Sequence, residues 1–305
     1  MSIAHSRSWI GLMAVLLALA PTARGQFKEN RVDLRPRFQA GQTVKYTMSV
    51  TNSSSPQTFG PPRTGAHPEP ANQTSSKIEM GLSLKMRSVT PEHEAVVDLV
   101  FDTLKVSSHT KDQSVEFDST KSVKGEDDVV ALLMQPLVGS TLTLHVDHTG
   151  NITSVTGGES FTALGQFISG GGDPGGLFGP LFSPKHGGGI ATVGESWEDI
   201  DRVDSPLLGR FKMTTRHTLR SVSGKEAKLA LSGHIDPDSE GGPSGARDTQ
   251  FKVKESRYGG TYSWDLGMGM LKDLDSTMSV TMEQTVEGKR TTTRNESVMK
   301  VTRQR

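Results

Sequence analysis

Cysteine is absent from this 305-residue chain. Its absence excludes disulfide scaffolds, thiolate metal sites, iron–sulfur clusters and cysteine nucleophiles. An excess of one charge is also lacking, because 34 basic residues match 34 acidic ones. Aromatic residues make up only 6% of the chain, which leaves little material for stacking nucleobases. No nucleic-acid partner is therefore predicted.

Long hydrophobic runs are scarce, and the longest extends over residues 9–20, between Arg7 and Pro21. This run is shorter than the roughly 20 residues that cross a bilayer, so no transmembrane segment is predicted. The small residues in Ala-Arg-Gly at 23–25 are typical of a signal-peptidase site. We therefore expect residues 1–25 to be a cleavable signal peptide and the protein to be periplasmic or extracellular. Export without cysteine favours a bacterial envelope.

Alternation of apolar and polar residues, the period of a half-buried strand, recurs along the chain. Residues 43–51, TVKYTMSVT, and residues 78–86 show it clearly. Short connections without helical crossovers favour antiparallel pairing. The sequence predicts a mostly β protein, formed as a curled antiparallel sheet or half-barrel. Further strands are predicted at residues 96–106, 115–117, 211–222, 227–235, 251–258, 262–266, 271–282 and 290–301.

Two short segments have helical patterns. Residues 127–137 begin with acidic side chains, which suit the positive end of a helix dipole, and Pro136 limits their far end. A second apolar stripe, spaced i, i+3, i+6 and i+7, extends from Phe161 to Ile168. We expect both helices to lie on the concave face of the sheet, where each element buries its apolar side.

Two other segments show neither pattern. Residues 53–76 contain five prolines and few large apolar residues, so burial cannot offset their ordering entropy, and a disordered insertion is predicted. Residues 169–189 are rich in glycine and form either a linker or a flexible flap over an apolar site. The apolar residues that favour the flap are Leu177, Phe178, Leu181 and Phe182.

Short similarities recur in the same order along the chain and predict an internal duplication. The two β-rich halves would be residues 26–168 and 190–305, and they could share one continuous sheet. The alternative is a set of unrelated strand regions within one domain. The similar pairs are residues 41–43 with 194–196, 86–90 with 219–223, and 143–147 with 261–265.

Three motifs carry a resemblance to a known family: residues 38–46, FQAGQTVKY, residues 260–265, GTYSWD, and residues 275–282, DSTMSVTM. With them the chain resembles an uncharacterised family of exported bacterial β-rich proteins, over most of the expected mature chain. The resemblance implies no catalytic residues. More distantly, the expected curled sheet with helices is similar to the half-barrels of periplasmic lipoprotein carriers.

Common catalytic and phosphate-binding motifs are absent from the sequence. The cluster His145-Val146-Asp147-His148 is interpreted as a hairpin tip, because a strand does not converge its side chains on one ion. Acidic residues surround Trp197, and we interpret them as an exposed strand edge rather than a sugar site. These acidic residues are Glu195, Glu198, Asp199 and Asp201.

One segment has the beginning of a calcium loop, with Asp236, Asp238 and Glu240 at alternate positions before Gly241. The residue at the closing position is Arg247, which cannot replace a bidentate glutamate. A solvated turn is the competing interpretation. No cofactor is predicted.

Methionine is frequent in the expected strands and helices while aromatics are few, which favours an adaptable interior. We predict an exported, non-enzymatic protein that binds an apolar ligand, a lipid or a lipidated polypeptide, in the cavity of the half-barrel. The alternatives are an envelope structural or protein-interaction module, which a packed interior would favour, and a hydrolase of envelope polymers. The candidate ligand-binding residues are Leu133, Met134, Phe167, Phe178 and Phe182.

Overall fold

A computed structural model describes residues 31–59, 73–121, 129–157, 161, 174–187, 189–205, 209–237, 250–286 and 289–305. The expected signal peptide, residues 1–25, lies outside these ranges. So do three of the candidate site residues, Phe167, Asp238 and Glu240. Within the described ranges, no helix has the length and hydrophobicity needed to span a bilayer.

The fold is dominated by strands, as the alternating sequence predicts. In chain order the strands are β1 (Arg31–Asp33), β2 (Thr43–Phe59), β3 (Thr74–Val89), β4 (Ala95–His109), β5 (Ser114–Asp118), β6 (Thr141–Val146), β7 (Ile152–Thr156), β8 (Ile190–Thr192), β9 (Ser196–Ser205), β10 (Gly209–Ser223), β11 (Glu226–Pro237), β12 (Gln250–Asp265), β13 (Met270–Val286) and β14 (Lys289–Arg303). The helices are α1 (Val129–Met134) and α2 (Pro174–Phe178), each followed by a short 3-10 turn, Gln135–Leu137 and Gly179–Leu181.

Twelve of the described strands form one antiparallel sheet. Its order is β7-β6-β4-β3-β2-β14-β13-β12-β11-β10-β9, with β5 paired to β4, while β1 and β8 form a separate pair. The sheet has two ends and is therefore open. On β3, five alternate side chains from Ile78 to Met86 are buried, and their polar neighbours face outward. The predicted fold class, a mostly β protein with an open antiparallel sheet and two short helices, is confirmed.

The two predicted halves contribute equivalent strands to this one sheet, joined where β2 pairs with β14. In the first half, Gly41 N donates to Met86 O at 2.8 Å, and in the second half Gly194 N donates to Leu219 O at 2.7 Å. The pairing register shifts just after each acceptor, between Met86 and Ser88 and between Leu219 and Ser221. The same irregularity therefore occurs at matching positions of the sequence repeat.

The third pair of similar segments matches in the same way. A register shift lies between His145 and Val146 in the first half, and between Ser263 and Trp264 in the second. An aspartate follows each shift and accepts backbone N–H bonds that close the next turn: Asp147 from Thr149 and Asn151, and Asp265 from Gly267 and Met268. Residues 145–148 thus form the predicted hairpin tip, and the two halves have matching turns and bulges at the similar segments.

The concave face of the first half is covered by α1, α2 and the turns that follow them. Phe178 packs against Phe101 and Phe161, with ring centroids 6.2 and 5.9 Å away, and Phe182 packs edge-on against Phe38. The helix predicted at residues 127–137 is present from Val129. Of the second predicted helix, only Phe161 is described, and it is buried.

The predicted disordered insertion, residues 53–76, is wrong at both of its ends. Strand β2 continues to Phe59 and pairs with β14 over that length, and β3 begins at Thr74. Backbone hydrogen bonds to β14 order this end of β2, and such bonds do not require burial of large side chains. Pairing with β3 ends at Ser54, so Pro56 has one described neighbouring strand, a position where proline is tolerated. Residues 60–72 lie outside the described ranges.

Candidate functional site

Four of the five predicted ligand-binding residues are described, and three of these four are buried. Met134, Phe178 and Phe182 have 0% exposure and belong to the continuous core, whereas Leu133 on α1 is 44% exposed. The described part of the glycine-rich segment buries its apolar side chains against the sheet. Among the described residues, the apolar side chains beneath α1 and α2 are therefore packed into the core.

A second apolar area lies on the same face of the sheet, on β10 to β13. Met213 pairs with Ile235, and Val253 pairs with Met282, so these side chains are neighbours across the strands. They continue the face on which Thr215, His217 and Ser276 are buried nearer the core. We call this area the methionine surface; its members are Phe211, Met213, Ile235, Val253, Met278 and Met282.

The methionine surface differs from the core in exposure. All six side chains are partly exposed, and none belongs to the continuous core. On the next strands, β14 and β2, the same face bears polar residues such as Asn295, Ser297 and Ser54. The apolar area is thus bounded on one side by polar side chains.

A group of charged residues borders the methionine surface on its other side. Lys185 Nζ lies 2.6 Å from an oxygen of Asp199 and 2.6 and 2.7 Å from the two oxygens of Asp201. We call these three residues the ionic cluster. Burial disfavours the Lys185 ammonium, but the hydrogen bonds that it donates to both aspartates, together with their negative charges, outweigh burial and raise the pKa of Lys185. The lysine is therefore held as a cation.

The ionic cluster helps to attach residues 184–186 to the strands beneath. Trp197 Nε1 donates to Pro184 O at 2.9 Å, and His186 Nε2 lies 3.1 Å from Glu195 Oε1. The prediction of an acidic strand edge is confirmed in part, because β9 is an end of the sheet. It is wrong in taking Asp199 as exposed, because Asp199 lies on the inner face of β9, where its carboxylate pairs with Lys185.

His217 lies beside the ionic cluster on β10 and is only 8% exposed. Its Nδ1 is 3.0 Å from the Tyr262 hydroxyl, and its ring stacks on Trp197 with centroids 5.6 Å apart. Burial, together with the positive charge of Lys185, lowers the pKa of His217 to about 4. The imidazole is therefore neutral at neutral pH, and its buried Nε2 has no hydrogen-bond partner in the described part of the chain.

The structure places the first residue of the candidate calcium loop on a strand. Asp236 lies on β11, exposed, with one carboxylate oxygen 3.1 Å from His234 Nε2. Its expected partner ligands, Asp238 and Glu240, lie outside the described ranges. The residues that are described contain no grouping of three metal-ligating side chains.

Comparison with known proteins connects the chain to an uncharacterised family. Residues 92–164 match a family of unknown function, DUF6263. This stretch contains β4 to β7 together with α1, and it confirms the expected resemblance to an uncharacterised family over these residues. No curated protein matches the chain.

A solved structure aligns with this chain over most of the length of both proteins. It is described as the crystal structure of the COG4313 outer membrane channel from Pseudomonas putida F1, and it is 8% identical to this chain. The alignment covers 88% of this chain and 97% of that chain, with a TM-score of 0.22. A TM-score of this size supports no inference about fold or function.

Proposed function

We propose that this protein is an exported, non-enzymatic binding protein whose methionine surface holds the hydrocarbon chain of a lipid or lipidated polypeptide. One observation supports this most: six partly exposed apolar side chains lie on one face of β10–β13, outside the packed core, in two groups on β10–β11 and β12–β13. Methionine side chains are flexible and polarizable, and they adapt to ligands of varied shape. Each buried methylene of a ligand contributes about 0.8 kcal/mol.

The surface differs in position from the site expected from sequence, but the class of ligand is the same. The helices cover the first half of the sheet, and the methionine surface belongs to the second half, where it is bordered by Lys185. A ligand there would not need to displace Phe178 or Phe182, whose rings are packed in the core.

A charge placed within the methionine surface should prevent binding. In Met278→Asp, a carboxylate would have to be desolvated against the hydrocarbon chain, so we expect affinity for a fluorescent fatty-acyl probe to fall about tenfold or more. The matched control is Ile200→Asp, because Ile200 is 48% exposed and lies on the opposite face of β9. Fluorescence titration of wild type and both variants measures this. Equal binding by the wild type and Met278→Asp would contradict the proposal.

A protein-interaction module is the second candidate, and the packed interior beneath α1 and α2 favours it. Such a module would need no small ligand. Native mass spectrometry of protein purified from its own host distinguishes the two functions. A bound apolar molecule supports the lipid-binding function, while its repeated absence, together with failure of the probe titration, supports the interaction module.

A further inference from the structure

We propose that the ionic cluster recognises the polar end of the ligand, and that this end is a primary ammonium group. The inference rests on the proposed function, since it concerns a ligand whose hydrocarbon chain lies on the methionine surface. It adds the chemical class of that ligand: a cationic amphiphile rather than a fatty acid or a neutral lipid.

The register places the ionic cluster directly beside the methionine surface. Asp201 pairs with Met213, a member of that surface, and Asp199 pairs with Thr215, the next inward-facing residue on β10. A ligand lying along Met213 and Ile235 therefore reaches the two carboxylates at the β9 end of the sheet. The pairing of β9 with β10 therefore brings the two aspartates next to the methionine surface.

The charges in this corner do not balance. Two carboxylates, Asp199 and Asp201, face one ammonium, Lys185, which leaves an excess of one negative charge. Of the other titratable groups nearby, His217, Tyr258 and Tyr262 are neutral at neutral pH, because burial lowers the pKa of His217 and raises the pKa values of Tyr258 and Tyr262. The Glu195 carboxylate pairs with His186. A further cation is thus attracted without displacing Lys185, whereas a carboxylate is repelled.

His217 supplies a second and independent indication of a ligand. The two nitrogens of an imidazole point to different sides of the ring, and Nδ1 is engaged with Tyr262, which lies one residue pair nearer the core. Asp199 lies one pair further out, and Lys185 and Asp201 are close enough for their charges to act on the imidazole, so the unpartnered Nε2 lies beside the ionic cluster. The proposal requires the tautomer in which Nδ1 carries the hydrogen and donates to the Tyr262 hydroxyl. In that tautomer Nε2 is an acceptor, and a buried acceptor without a partner costs free energy.

A primary ammonium fits both features. It has three N–H donors and one positive charge, so it supplies both the charge that the two carboxylates attract and the donor that an acceptor Nε2 lacks. A quaternary ammonium carries the same charge but has no N–H to donate. The comparison of these two head groups therefore separates hydrogen bonding from charge alone.

Displacement of the fluorescent acyl probe by ligands with one chain length tests the inference. We expect dodecylamine to bind about tenfold more tightly than dodecanol, with dodecyltrimethylammonium between them and dodecanoate weakest. In Asp199→Asn, which keeps the Lys185–Asp201 pair, the preference for the amine should fall to about twofold or less. The matched control, Glu198→Gln, changes the exposed neighbour on the outer face of β9 and should keep the full preference.

Each outcome has a distinct meaning. Equal binding of amine and alcohol, equal binding of primary and quaternary amines, or tighter binding of dodecanoate would overturn the inference while leaving the proposed function intact. Failure of every dodecyl ligand to bind would overturn both. Binding of lysophosphatidylethanolamine and lysophosphatidylcholine identifies the source of the amine. Tighter binding of the ethanolamine lipid than of the choline lipid indicates an aminophospholipid. Equal binding of the two lipids, with the preference for dodecylamine retained, indicates a simple alkylamine.

Discussion

Alanine at Gly269 is expected to lower the free energy of unfolding by about 3 kcal/mol or more, from backbone strain and overpacking combined. Gly269 has φ of +60°, and a Cβ there would lie 2.0 Å from Arg35 O. The segment it would push away is held by hydrogen bonds from Trp264 Nε1 to Leu34 O and from Arg37 N to Met268 O. Urea unfolding of Gly269→Ala measures the loss.

The matched control is Gly224→Ala. Gly224 has nearly the same backbone conformation, with φ of +57°, but a Cβ there would meet nothing within 4 Å. Only the conformational cost, about 1–2 kcal/mol, is expected. Equal loss of stability in the two variants would contradict the close packing of residues 34–37 against the turn between β12 and β13.

Truncation of Phe178 to alanine should cost about 3–5 kcal/mol of unfolding free energy, the range for a large aromatic side chain removed from a core. Phe178 is 0% exposed and contacts the rings of Phe101 and Phe161. The expected loss arises because α2, although it lies in a glycine-rich segment, completes the core of the first half. Thermal and denaturant unfolding measure this.

Leu132→Ala provides the comparison for Phe178→Ala. Leu132 on α1 is 65% exposed, and its truncation should change stability by less than about 0.5 kcal/mol. A loss at Phe178 as small as that at Leu132 would show that α2 is loosely attached, and it would favour the sequence-based interpretation of a flap above a ligand cavity.

The sheet and its matching irregularities were predictable because both depend on local patterns. Alternation from Ile78 to Met86 identifies a strand in any antiparallel sheet with one buried face. The backbone hydrogen bonds from Gly41 to Met86 and from Gly194 to Leu219 lie beside two similar bulges, and similar short sequence motifs specify both. Similar residues at equivalent positions thus gave equivalent irregularities.

The site was less accessible to sequence reasoning, because its members meet only in the folded sheet. Lys185 lies in a glycine-rich segment, Asp199 on β9 and His217 on β10. The frequency of methionine was a useful signal, but alternation alone does not tell which methionines are covered. Met134 is under the helices, whereas Met213 and Met278 are on the part of the sheet beyond the core.

The extension of β2 was missed for a related reason. Its serines and proline give no burial signal, and pairing with β14 becomes visible only when the last strand of the chain is placed beside the first strand of the sheet. Long-range pairing can order a polar segment whose composition alone predicts disorder.

Photo-crosslinking with a diazirine-labelled fatty-acyl probe, followed by peptide mapping, tests the location of the ligand site most directly. The account predicts labelling of β10 to β13, at or beside Met213, Ile235, Met278 and Met282, and loss of that labelling when unlabelled dodecylamine is added. Labelling confined to α1, α2 and the core residues beneath them, such as Met134 and Phe178, would contradict it.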